Sequence, residues 1–167
     1  MALTTVATVQ VDATLTSALD LATGTVPLSH RTRLTLASGT AADQADLVFH
    51  DRRTIAASSS EDLDLAGVLA SAFGATLTFV ELKGLVVAAA SGNTNNVRVT
   101  RPASNGVPLF LAASDGIDVP PGGVLAWFNP GDGDVTVTAG TGDLITVANS
   151  SSGSTVTYDV IIIGASA

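Results

Sequence analysis

Near its C-terminal end the chain reads STVTYDVIIIG over residues 154–164. Val156, Tyr158, Val160 and Ile162 fall on one side of an extended chain, and Thr155, Thr157 and Asp159 on the other. That period of two is the mark of a strand with one face in a core. Ile161 and Ile163 then turn the second face apolar as well. A strand that is apolar on both faces must be covered twice, by a second layer or by another subunit.

The same alternation recurs upstream. Thr4 to Val11 places Val6, Val9 and Val11 among Thr and Gln, predicting an edge strand or an extended N-terminal arm, and Thr14 to Leu21 is a second candidate strand. Gly24 to Ser29, with Pro27, punctuates the chain. Arg31 to Ala37 then alternates strictly, Arg31, Arg33 and Thr35 against Leu34 and Leu36. Ala45 to Phe49 and Arg53 to Ala57 read as short strands around the polar cluster His50-Asp51-Arg52-Arg53.

Asp62-Leu63-Asp64-Leu65 predicts a strand, followed by a single helical turn up to Gly74. A continuous helix is disfavoured by Gly67 in mid-segment. Thr76 to Ala89 is the longest apolar stretch, and its change of phase calls for a bulge near Val80–Glu81 or a bend at Gly84. Short strands follow at Val97 to Thr100, Leu109 to Leu111, Ile117 to Val119, Val124 to Phe128, Val135 to Ala139 and Leu144 to Ala148. Turns rich in Gly, Pro, Asn and Asp separate them. The pattern predicts an all-β protein: an antiparallel β-sandwich, jelly-roll-like, with an extended N-terminal arm or strand. Residues 1–50 supply the arm and first strands, and 51–167 the sandwich.

Composition agrees. Thirteen of the fifteen acids are Asp, Lys83 is the only lysine, and sixteen glycines favour turns over helices. The net charge of −8 is the wrong sign for nucleic acid, whose phosphates are met mainly by Lys and Arg. Without cysteine there is neither a disulfide framework nor a thiolate metal site. No run reaches the ~18 apolar residues of a membrane helix. MALTTVATVQV lacks the basic and continuous apolar regions of a signal peptide. A soluble protein made in the cytoplasm is expected.

Candidate chemistry is sparse. His30 and His50 are the only histidines, and no G-x-S-x-G places a nucleophile beside either. Asp62 and Asp64 alternate with leucines as the wet face of a strand does, and seven aromatics are few for stacking a sugar. The turn Asn129-Pro130-Gly131-Asp132-Gly133-Asp134 offers oxygen ligands for a cation but has no EF-hand spacing, and the same residues serve any tight hairpin. No catalytic residue, cofactor or metal is assigned. The pairs Arg31/Arg33 and Arg52/Arg53 stand out in an acidic chain. Two readings are open for them: a solvated strand face balancing nearby Asp, or a subunit contact, where Arg pairs well with carboxylates.

Leu63-Asp64-Leu65-Ala66-Gly67, Phe73-Gly74 and LTFVELKGLVV at Leu77 to Val87 come in an order that resembles virion proteins of tailed bacteriophages. The C-terminal half extends the resemblance through VPPGG at Val119 to Gly123, TGDLITVANSSSG and TYDVIIIG. It covers roughly residues 50 to 164 and is nearest to head decoration (cement) proteins. The resemblance implies a small non-catalytic sandwich on the outer capsid surface of the virion, made in the host cytoplasm. The implied partners are the major capsid protein and further copies of itself, typically as a homotrimer, with neither nucleic acid nor membrane. A tail or fibre component is the neighbouring alternative. A binding module for a host surface glycan, with Trp127, Phe128 and Tyr158 as its platform, is the rival from another class. The expected subunit interface comprises Val6, Val9, Val11, Arg52, Arg53, Ile161 and Ile163.

Overall fold

A computed structural model describes residues 2–167. The described residues contain thirteen strands and no helix. The first two strands, β1 (Thr5–Ala18) and β2 (Thr23–Ser38), form one long antiparallel hairpin, joined at its base to the short parallel strand β3 (Gln44–Ala45). The remaining strands are β4 (Leu47–Ile55), β5 (Ser60–Asp64), β6 (Ala66–Ala70), β7 (Thr76–Thr78), β8 (Glu81–Ala89), β9 (Val97–Thr100), β10 (Gly116–Val119), β11 (Val124–Phe128), β12 (Leu144–Asn149) and β13 (Val156–Ala165).

Eight of them form two four-stranded antiparallel sheets, ordered β4-β13-β8-β11 and β5-β12-β9-β10. Their facing sides make the main core. Phe49, Leu85, Val87, Tyr158, Val160 and Ile162 from the first sheet meet Leu63, Val97, Val99, Ile145 and Val147 from the second. Alternation dictates which residues these are. In β12, Ile145, Val147 and Asn149 are buried while Leu144, Thr146 and Ala148 are half-buried. The predicted all-β antiparallel sandwich is the observed class, and its strands run from Leu47 onward. The hairpin β6–β7 adds Leu69 and Leu77 to this core while leaving Val68 and Phe73 exposed.

Several local expectations change. The helical turn before Gly74 is instead this hairpin: Ser71 N donates to Ala75 O at 2.8 Å and Gly74 takes a left-handed φ of 79° to close the bend. The interruption near Val80 is real, because the chain there leaves β7 and enters β8. Next to Gly84 the register with β13 shifts, since Ile163 pairs with Gly84 but Gly164 with Leu82, and Lys83 is the bulged residue beside the glycine. A Cβ on Gly84 would stand 2.8 Å from Phe128 Cδ1, so the glycine makes room for that ring. One strand, β4, runs through the polar cluster from Leu47 to Ile55, in place of two around it, and Ala45 belongs to β3. Leu109 to Leu111 is turn, and Val135 to Ala139 forms only isolated bridges, Thr136 to Glu81 and Thr138 to Gly142.

The arm departs most from expectation. Gly24 to Ser29 does not interrupt the chain. Pro27 lies inside β2 opposite Thr14, at a place where a two-stranded ladder tolerates the missing donor. The ladder runs unbroken from Thr5/Leu36 to Ala18/Thr23, and Leu19 N donates to Ala22 O at 2.8 Å to close the tip. Only the base packs on the body. Leu36 is fully buried in a second small core with Ala45 and Ile163, flanked by Leu34, Val48 and Phe128. The rest of the hairpin is exposed.

Candidate functional site

Register sorts the arm into two faces. Residues directly opposite one another share a side, so Val9, Val11, Ala13 and Leu15 of β1 line up with Thr32, His30, Leu28 and Val26 of β2. The same side carries Leu34 and Leu36 at the base. The other side holds Thr8, Gln10, Asp12, Thr14 and Thr16 opposite Arg33, Arg31, Ser29, Pro27 and Thr25. The arm is therefore amphipathic, and its apolar face is uncovered: Leu15 is 72% exposed and Val26 65%. Val6 pairs with Thr35 on the wet side, out of phase with Val9 and Val11, because no bulge interrupts the ladder between them. The three valines therefore do not share one face: Val9 and Val11 lie on the apolar side and Val6, 49% exposed, on the other.

Charge is divided unevenly between arm and body. Asp12 and Asp20 balance Arg31 and Arg33, so the whole net charge of −8 lies on the rest of the chain. Asp12 is held below its ordinary pKa by hydrogen bonds from Ser29 and Gln10, at 2.7 and 2.6 Å. Neither Arg31 nor Arg33 forms an ion pair among the described residues.

A second uncovered surface is the outer side of the β4-β13-β8-β11 sheet. Ile163 lies on it but is only 6% exposed, because Leu36 and Ala45 cover it from within the same chain. This corrects its expected place at a subunit contact. Ile161, two residues back on the same side, is 38% exposed, beside half-buried Val86 in register and near Val124, which is 63% exposed. Arg52 spans two strands there. Its Nε and Nη2 meet the two carboxylate oxygens of Asp159 at 2.6 and 2.9 Å, a bidentate pair that lowers the pKa of Asp159 through the hydrogen bonds.

Arg53 points the opposite way. It lies over the Phe49 ring at 5.7 Å from its centroid and bonds Glu61 of the facing sheet, with Asp51 3.3 Å away. Tyr158 is fully buried and donates to the other oxygen of the same Glu61 carboxylate at 2.9 Å; burial first, and then that carboxylate, push its pKa well up. Arg53 therefore serves the core of its own chain, not the expected subunit contact. The aromatic platform is dispersed as well. Tyr158 is inside, Trp127 packs on the main core, and Phe128 turns to the second core.

The Asn129–Asp134 turn is bonded internally. Gly131 N donates to Asn129 Oδ1 at 2.9 Å, and Asn129 Nδ2 donates to Asp134 Oδ2 at 2.8 Å. Beneath it, Lys83 is fully buried, paired with Glu81 at 2.6 Å and donating to Gly131 O. Pro130 O accepts from Asp43 N at 2.8 Å, which ties the turn to the loop at the arm's base. Nothing in the local sequence announces this lysine, which occupies a strand position an apolar residue ordinarily fills. His30 contacts Thr32 Oγ1 at 3.2 Å, and neither His30 nor His50 is bonded to a carboxylate among the described residues. Among those residues no group of three or more His, Asp or Glu comes together as metal ligands.

Compared with protein-family profiles, with curated proteins and with solved structures, the chain matches none of them.

Proposed function

We propose that this chain is a structural virion protein that decorates a tailed-phage capsid on its outer surface and stabilises it by bridging neighbouring capsid subunits, without catalysis. Its partners are the major capsid protein and other copies of itself, as a homotrimer. The observation that carries this reading is the arm: a 14-residue ladder with one mainly apolar face, anchored at its base by Leu34 and Leu36 and, from Val9 to Leu15, covered by nothing in its own chain. An isolated two-stranded hairpin is marginal in water. One this long is stabilised when its apolar side is buried in an assembly.

Two further features support the reading. The strand order β4-β13-β8-β11 facing β5-β12-β9-β10 fits a jelly roll, an architecture of viral capsid and lectin domains. The charge of −8 suits an outer surface away from packaged nucleic acid. A glycan-binding module is less well supported, because Trp127, Phe128 and Tyr158 share no exposed face.

The test is reconstitution. Purified protein is added to capsids lacking it, and binding is followed by co-sedimentation and by the temperature at which capsids release their genome. Saturable binding with a raised release temperature is the expected outcome. No binding to such capsids, together with recovery of the protein on isolated tails, overturns the reading.

A further inference from the structure

The arm has an apolar face and the outer sheet face has an apolar strip beside the Arg52–Asp159 pair, and at the arm's base the two already pack together. Leu34 and Leu36, on the apolar side of the hairpin, lie with Ile163, Val48 and Phe128 of the outer sheet face. Beyond that contact both surfaces continue uncovered. The arm continues as Val9, Val11, Leu15, Val26 and Leu28, each between 49% and 72% exposed. The sheet continues as Val86, Ile161 and Val124. A groove of about 300 Å³ between Val9, Leu34, Phe128 and Pro130 marks where they part. The hairpin projects away, so its outer half does not reach the sheet face of its own chain.

We propose that the outer half of the arm docks on the outer sheet face of a second copy of this chain, repeating between copies the contact that Leu34 and Leu36 make within one. This names the self-association surface of the decoration reading and rests on that reading only for where the oligomer is used.

Area favours a second copy. The uncovered rows from Val9/Thr32 to Ser17/Gly24 make a strip about 30 Å long and about 10 Å wide by ordinary strand spacings. One arm on one sheet therefore buries about 600 Å² in total, small for a specific interface, and in a closed assembly each copy buries its own arm and its own sheet face, about 600 Å² of its surface, so that closure and not a single contact holds the copies together. Charge favours it too. Bodies at −8 repel one another, but an arm whose two carboxylates balance its two arginines approaches a neighbouring body without that penalty. The edge of β1 adds a route to pairing, since its 14 residues carry one charge, Asp12, and neither Pro nor Lys to block an incoming strand.

The test is made in solution, without capsids. Light scattering on the full chain is expected to give a closed oligomer. Val11→Asp and Leu15→Asp, which touch no body residue, are expected to reduce the mass to that of one 16.6 kDa chain with unchanged circular dichroism. Thr16→Asp, on the wet side, is expected to leave the oligomer intact. Because the chain has no cysteine, mixing a Val11→Cys copy with a Val124→Cys copy under oxidation is expected to yield the mixed cross-linked dimer. A monomeric wild type, or an oligomer that survives both arm substitutions, overturns the proposal. Cross-linking only between Val11→Cys copies overturns the sheet as acceptor and places arm on arm. If the oligomer and cross-link form but the protein ignores capsids, the decoration reading fails and the docking proposal stands.

Discussion

Tyr158 in β13 donates its hydroxyl to Glu61 of β5 at 2.9 Å, and so joins the two sheets through the interior of the sandwich. Arg53, opposite Tyr158 in register, completes the same carboxylate from the side. Polar groups at this depth are stable only as a satisfied set. Here Glu61 accepts from both Tyr158 and Arg53, while the buried Arg53 Nε has no hydrogen-bond partner and lies 3.3 Å from an Asp51 carboxylate oxygen.

The tyrosine makes a direct prediction, because it is the only one in the chain. Its folded-state pKa is raised above the ordinary 10.0 by burial and by Glu61. A raised pKa stabilises the fold below the unfolded value and loses that contribution as pH rises past it. Tyrosinate absorbance is therefore expected to appear only together with loss of circular dichroism in alkaline titration. A reversible titration near pH 10 with the fold intact would contradict the placement. Tyr158→Phe is expected to cost about 1 kcal/mol in denaturant unfolding.

Lys83 and Glu81 form a buried pair with one carboxylate oxygen, Oε1, lacking a partner. Removing one member of such a pair leaves an uncompensated charge in the interior. Lys83→Met is expected to lower stability by about 3–5 kcal/mol, and the double variant Glu81→Leu/Lys83→Met by distinctly less than the sum of its singles. Equilibrium unfolding in urea measures both, and additive effects would show that the two side chains are not coupled.

The cross-strand pair Arg98–Asp118 is bidentate, at 2.6 and 2.9 Å, and half exposed. Hydrogen bonds from Arg98 lower the pKa of Asp118 from 3.8. A depressed carboxylate contributes stability above its unfolded pKa and loses it as pH falls through the folded value. After solvent screening, Asp118→Asn is expected to cost no more than about 0.5 kcal/mol at neutral pH, fading as the pH falls through the lowered folded-state value and shrinking in high salt. Paired unfolding curves at several pH values check this.

Leu36 anchors the arm. Leu36→Ala is expected to cost about 2–5 kcal/mol at the second core, with no hydroxyl or charge involved. Limited proteolysis is expected to cut this variant at the arm's base well before the sandwich. Equal resistance to wild type would show that the arm is held elsewhere.

How far these features were legible follows from their physics. Strands with one wet and one dry face, such as β9, β12 and β13, were readable because alternation encodes burial directly. The arm's length was not, since Gly24 and Pro27 suggest a turn to local reasoning while a two-stranded ladder accommodates both. Of the surface residues, Val9, Val11, Arg52 and Ile161 were placed on exposed faces by pattern alone. Ile163 looks identical to Ile161 in sequence, and only the return of Leu36 over it separates the two. Arg53 differs from Arg52 by parity: one residue's shift turns it inward to Glu61. Lys83 has one local partner, Glu81 two residues back, but its burial follows from Gly131 and Asp132, which lie far along the chain.

Whether this sandwich works on the outside of a capsid is tested most directly by electron cryomicroscopy of virions carrying the chain and of virions with its gene deleted. Density is expected on the outer capsid lattice, at three-fold positions between neighbouring capsid subunits, present in the first and missing in the second. Density confined to the tail, or capsids unchanged by the deletion, would contradict that placement.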